Sequence, residues 1–123
     1  MNLVDSSGWL EYFADGKNAK HFASIIQDTE NLAVSTINIY EVYKKVVQQR
    51  DENSAIQAVA LMQQAKVIDI TIQISIEAAK ISNEKNIPMA DSLIIASAKS
   101  IKAKIWTQDS DFNGIDNVMY FKK

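Results

Sequence analysis

A chain of 123 residues is the size of one ordinary domain, and a domain of this size buries roughly two-thirds of its unfolded-chain surface. It has no cysteine, which excludes disulfides, thiolate chemistry and cysteine-based zinc sites. With 13 Lys and Arg against 15 Asp and Glu, the net charge of −2 speaks against a phosphate-binding surface, unless the acids are gathered around cations.

One proline and three glycines are few for an all-β protein, so helices are expected to dominate. Met1 to Asp5 lacks the basic-then-apolar order of a signal peptide. The apolar stretches, such as Leu93 to Ala96, are too short to span a membrane. A cytoplasmic protein is expected.

The first strand is Leu3-Val4, ending at Asp5. A short helix over Ser6 to Phe13 follows, capped by Ser6 or Ser7, with Trp9, Leu10 and Phe13 as its apolar face. Trp9 and Tyr12, three residues apart, either form a partner surface or pack inward. A second helix covers Asn18 to Gln27, with Phe22, Ile25 and Ile26 inward; His21, the only histidine, reads as a solvated residue on it. Leu32-Ala33-Val34 is the second strand.

Ser35-Thr36 caps a longer helix in which Ile39, Tyr43, Val46 and Val47 recur at helical spacing. Ser54 to Lys66 continues as helix, with Ile56, Val59, Ala60 and Met62 available to pack, and Val67 to Ile70 is the third strand. Thr71 caps a helix to about Asn86, and Ile87-Pro88-Met89 is an extended break, because proline biases its predecessor away from the helical region. Ala90 to Lys102 is a helix with Ala90, Leu93, Ile94, Ser97 and Ile101 on one face. Ala103 to Trp106 is the fourth strand, with Trp106 in the core, and Asn117 to Phe121 is the fifth. Strands alternating with helices give an α/β fold with a mostly parallel sheet and helices on both faces.

Functional groups of such sheets gather beyond the carboxyl ends of the strands, where strand order reverses. Asp5 and Asp109 follow strand ends. Glu41 lies about one turn into the helix after the second strand, and Asp91 in the first turn of the helix beginning near Ala90. A carboxylate at a helix start can be ordinary dipole complementation. Four acids converging on one rim, however, would repel one another and raise each other's pKa unless cations neutralise them. Hard cations with oxygen ligands, Mg2+ or Mn2+, suit such a site.

Val4-Asp5-Ser6-Ser7, Thr36 to Glu41, Pro88 to Ala96 and Thr107-Gln108-Asp109-Ser110-Asp111-Phe112 are similar, in order, to the four acidic motifs of PIN domains. The resemblance covers the whole chain, 1–123, as a single domain. It implies a three-layer α/β/α fold with strand order 3-2-1-4-5. It implies that Asp5, Glu41, Asp91 and Asp109 are both catalytic and metal-binding, holding one or two Mg2+ or Mn2+ ions. Thr107 would orient the site, Ser6 or Ser7 would hold a water there, and Asp111 matches a less central acidic position. The activity implied is hydrolysis of RNA phosphodiester bonds, leaving a 5′-phosphate and a 3′-hydroxyl. The bare domain resembles the VapC-type toxins of toxin–antitoxin pairs, which implies a homodimer and a cognate antitoxin whose C-terminal segment covers the acidic site.

A ribonuclease working through paired histidines is excluded by the single histidine. A dehalogenase-type phosphatase would want an Asp at position 7, which is Ser, and no glycine-rich phosphate loop exists. Lys44 and Lys45, three and four residues after Glu41, either hold substrate phosphate or form a solvated face; Lys99 and Lys102 lie ~15 Å from Asp91 along their helix. Two alternatives stay open: a housekeeping RNA-processing nuclease, and a PIN-fold binding module or autoregulatory partner without essential catalysis.

Overall fold

The computed structural model describes residues 1–123. Five strands, β1 (Asn2–Val4), β2 (Leu32–Ser35), β3 (Lys66–Ile68), β4 (Lys104–Thr107) and β5 (Val118–Tyr120), form one parallel sheet in the order β3-β2-β1-β4-β5. The order that the resemblance implied is the one observed. Leu3 of β1 lies between Ala33 of β2 and Ile105 of β4.

Six helices cover the sheet: α1 (Ser6–Ala14), α2 (Ala19–Gln27), α3 (Thr36–Gln49), α4 (Glu52–Met62), α5 (Ile72–Lys85) and α6 (Met89–Ser100). Successive strand residues point to opposite faces, so the three central strands β2, β1 and β4 feed two cores. Leu3, Ala33 and Ile105 join Ile74, Ala78, Ile81, Ile94 and Ile95 beneath α5 and α6. Val4, Leu32 and Val34 join Trp9, Phe22, Ile26, Val42, Val46 and Met62 beneath α1 to α4. Trp9 is wholly buried, Tyr12 half-buried, and Trp106 half-buried with its Nε1 donating to Asn2 Oδ1 at 2.9 Å. His21 is exposed but not merely solvated: its ring stacks on Phe121 at 4.5 Å.

Gly8 is required by close approach. A Cβ there would lie 2.5 Å from Val4 Cγ1 and 2.9 Å from the Phe22 ring, so its absence lets α1 settle against β1 and α2.

Several local readings are corrected. The cap of α1 is Asp5 rather than Ser6 or Ser7, because its carboxylate accepts from Gly8 N. On α3 the inward stripe is Asn38, Val42 and Val46, while Tyr43 and Val47 are exposed. On α4 the buried residues are Ala55, Ala58 and Met62, with Ile56 and Ala60 outside, because small side chains face inward there. That helix begins at Glu52, capped by Asp51, and ends four residues before Lys66, which opens β3. β3 ends at Ile68, so Asp69 and Ile70 lie outside it. Thr71 caps α5 as expected, accepting from Ile74 N.

Candidate active site

β1 is flanked by β2 on one side and β4 on the other, so the chain's winding reverses between β1 and β4. That seam is where a parallel sheet opens a crevice at its carboxyl rim. Asp5 leaves β1 directly after Val4, and Asp109 stands two residues beyond the last residue of β4.

Asp5 is 2% exposed. Ser7 Oγ donates to its Oδ1 at 2.7 Å, and Gly8 N donates to the same atom at 3.2 Å. Burial pushes its carboxyl up to about 6, against the lowering effect of Ser7, Gly8 and Thr107, with the Asp109 charge adding a smaller upward push. Ser7 Oγ also accepts from Gln108 N at 3.2 Å, and Thr107 Oγ1 accepts from Asp109 N at 2.9 Å. These bonds fix the turn after β4 against the start of α1. Asp109 caps the short turn Ser110–Phe112, its Oδ1 accepting from Asp111 N at 2.9 Å.

Glu41 reaches the rim from the second turn of α3. Ser6 Oγ donates to its Oε1 at 2.6 Å. Ser6 in turn accepts from Asn38 Nδ2 at 3.1 Å. Asn38 is wholly buried, and its Oδ1 accepts from Ser35 N at 3.0 Å, which completes the cap of α3. The hydroxyls of Ser35 and Ser97 hydrogen-bond at 3.1 Å, joining the end of β2 to α6.

Asp91, in the first turn of α6, is half-buried. Desolvation is the largest influence on it and raises its pKa; the charges of Asp109, Asp111, Glu41 and Asp5 follow in that order, and together they bring it to about 7. A helix N-terminus favours a charged acid, yet here desolvation, together with four neighbouring carboxylates, outweighs it. The four acids singled out in the sequence therefore act on one another at one rim, and Asp111 acts with them.

The donor set fits a hard cation. Asp91, Asp109 and Asp111 each offer a carboxylate oxygen, all within 4.8 Å of one another. Ligands of an octahedral Mg2+ at about 2.1 Å stand roughly 3–4 Å apart, within reach of small side-chain rotations. The donors are all oxygen, the type that suits Mg2+ and Mn2+. Asp111 enters this cluster more closely than its sequence position suggested.

Lys44 and Lys45 are both exposed, and Lys44 Nζ lies 5.9 Å from the centre of the Tyr40 ring. Neither forms a hydrogen bond with the acids. Sequence reasoning named Ser35 as a helix cap and placed Ser97 on one face of its helix, but missed Asn38 and the bonds that join these residues to the site. One signal was present: Ser35 followed three residues later by an amide resembles a capping box.

A family model for the PIN domain matches residues 3–118. No curated protein sequence matches the chain. Among solved structures, a toxin–antitoxin complex from Klebsiella pneumoniae contains a chain with TM-score 0.80 and 22% identity, each chain covered in full. VapC20 of Mycobacterium tuberculosis, described as a sarcin-ricin-loop-cleaving toxin, gives TM-score 0.79 at 16% identity, with 96% of this chain and 97% of that one covered. VapBC-1 of nontypeable Haemophilus influenzae gives 0.72 at 20%, covering 98% and 96%. With the strand order, the acidic rim and a family model matching nearly its whole length, the chain belongs to the PIN-domain family.

Proposed function

We propose that this protein is a metal-dependent endoribonuclease acting in the cytoplasm as the toxin of a toxin–antitoxin pair. The observation that carries the reading is the environment of Asp91, where the charges acting most strongly are four other carboxylates. Clustering of this kind is costly without a cation. Bound at the rim, one or two Mg2+ or Mn2+ ions would supply Lewis acidity toward a phosphodiester and an attacking water.

The chain's own residues would divide the remaining work. Asp91, Asp109 and Asp111, with Asp5 and Glu41 beside them, would hold the metal. Ser7 and Thr107 fix the Asp5 carboxylate, and Ser6 fixes that of Glu41. Lys44 and Lys45, one helical turn beyond Glu41, would take a phosphate of the RNA strand.

The toxin–antitoxin complex among the neighbours supports an antitoxin partner, and its C-terminal segment is proposed to cover the acidic rim. A groove of about 460 Å³ lies between α1 and the α3–α4 hairpin, lined by Leu10, Phe13, Val46, Ala58 and Leu61 among others. It offers a seat for an apolar stretch of that segment. A homodimer is proposed as well, supported by the exposed Ile72, Ile76 and Met89 at the opposite layer, 82%, 54% and 73% exposed.

The test is incubation of the purified protein with total RNA in Mg2+, Mn2+ or chelator, followed by end mapping. Cleavage leaving 5′-phosphates, dependent on metal and abolished by Asp91→Asn, is expected. RNA left intact with every divalent ion, by protein that still binds an antitoxin, would make the fold a binding module instead.

A further inference from the structure

Asn38 hydrogen-bonds to none of the acids, yet its side chain decides which way a proton points among them. Its Oδ1 accepts from Ser35 N at 3.0 Å, so the amide cannot be turned over without losing that bond. Its Nδ2 must then face Ser6 Oγ, and it donates there at 3.1 Å. Ser6 has one hydroxyl proton. With Asn38 as donor, Ser6 can only accept from it, and its own proton goes to Glu41 Oε1 at 2.6 Å. The polarity is therefore set in one direction, from the buried backbone of Ser35 through Asn38 and Ser6 to the carboxylate.

We infer that Asn38 is a positioning residue for the metal site, acting through Ser6 to hold Glu41 in the orientation that divalent-ion binding uses. The inference rests on the metal-dependent reading above. The three groups come from two elements: Ser6 opens α1, while Asn38 and Glu41 stand on α3 one turn apart. Asn38 is wholly buried and Ser6 is 8% exposed, so water competes little for either. Hydrogen bonds behind a metal ligand hold it in place, and removing them typically costs about 10- to 100-fold in metal affinity. The capping role alone needs only an acceptor at position 38. The donor is what the site requires, and asparagine supplies both.

The test is a double-mutant cycle on Mn2+ affinity, read by calorimetry on the full chain without RNA. Asn38→Ala and Ser6→Ala should each weaken Mn2+ binding about tenfold or more. Together they should weaken it no more than Ser6→Ala alone, because one acts through the other. Asn38→Asp guards against misfolding of the alanine variant. It keeps the acceptor for Ser35 N, so the cap of α3 persists; the buried carboxylate lowers the unfolding temperature, and a single cooperative transition at pH 8 shows that the variant folds. Added negative charge alone would tighten Mn2+; the relay requires weaker binding, since Ser6 would then be drawn toward position 38. Additive single effects, or tighter binding by Asn38→Asp, would overturn the relay while leaving the metal site standing. A wild-type protein that takes up no Mn2+ would overturn the metal reading and this inference together.

Discussion

Ser7 and Thr107 meet hydroxyl to hydroxyl at 3.3 Å, tying the start of α1 to the end of β4. Ser7 directs its proton to Asp5 at 2.7 Å, and the Thr107 hydroxyl acts on the same carboxylate, lowering its pKa. Thr107 is wholly buried and also accepts from Asp109 N. Thr107→Val keeps the shape but strands these partners, at a cost of about 1–3 kcal/mol. A lower unfolding temperature and lost RNA cleavage are expected, whereas Thr107→Ser should retain most of both. Calorimetry and a cleavage assay on the two variants decide it; equal stability of Thr107→Val and wild type would show that the hydroxyl is dispensable.

Asp91→Asn should raise the unfolding temperature of the metal-free protein at pH 8 by a few degrees. Removing that charge relieves repulsion from Asp109, Asp111, Glu41 and Asp5. The same variant should lose stabilisation by Mn2+ and all RNA cleavage. Thermal scans in chelator and in Mn2+ test this, and a variant less stable than wild type in chelator at pH 8 would assign Asp91 a structural role.

The pH dependence of the metal-free protein follows from the same environment. Asp5 is raised to about 6 and Asp91 to about 7, both from 3.8. Folded-state values above the unfolded ones mean that the native state binds more protons between them. Stability should therefore rise as pH falls from about 8 through 7 and 6 toward 4, and be lost as pH climbs back. Saturating Mn2+ should oppose this trend, since the metal requires the ionised carboxylates. Urea unfolding at pH 5, 6, 7 and 8, with and without chelator, measures both arms. A metal-free midpoint that falls steadily from pH 8 to pH 5 would contradict the crowded-acid site.

Gly8→Ala should destabilise by about 1–3 kcal/mol through overpacking. The new methyl would meet Val4 and Phe22, both wholly buried. For a domain of this size that is a drop of roughly 3–15 °C. An unchanged melting temperature would mean that α1 can lift from the sheet at no cost.

Lys44 and Lys45 are exposed beyond Glu41. Replacing both with Ala should weaken RNA binding and flatten its salt dependence, with the unfolding midpoint held. Superimposable binding curves over a salt series would leave them as solvated surface.

The helix alternation and the placing of four acids near strand ends and helix starts were legible because each rests on local chemistry, whereas the strand order came from the resemblance to PIN domains. Apolar runs end in acids, and the proline at position 88 separates α5 from α6. What the sequence obscured lies where two stripes of one helix compete. On α3, Ile39, Tyr43 and Val47 make a more apolar stripe than Asn38, Val42 and Val46, yet the second is buried. Asn38 can be buried because its amide is satisfied at both ends by Ser35 and Ser6. Those partners are distant or backbone, so periodicity does not reveal them. On α4, alanines rather than Ile56 face inward, which a hydrophobicity pattern alone does not anticipate. Asp111 was underweighted because its closeness to Asp91 exists only after the chain folds.

The double duty of Asp5 has a practical consequence for making an inactive reference protein. Asp5 belongs to the acidic rim, and it also caps α1 through Gly8 N. Alanine at that position removes the cap as well as the charge, and lost caps cost about 1 kcal/mol. An alanine scan would then confound damage to the scaffold with damage to the chemistry. Asparagine caps a helix about as well as aspartate, so Asp5→Asn separates the two. Asp91 has no such tie, since α6 opens at Pro88 without a side-chain cap. Any silent version built for complex assembly or structure determination is therefore better made with an amide at position 5 or 91 than with alanine at 5.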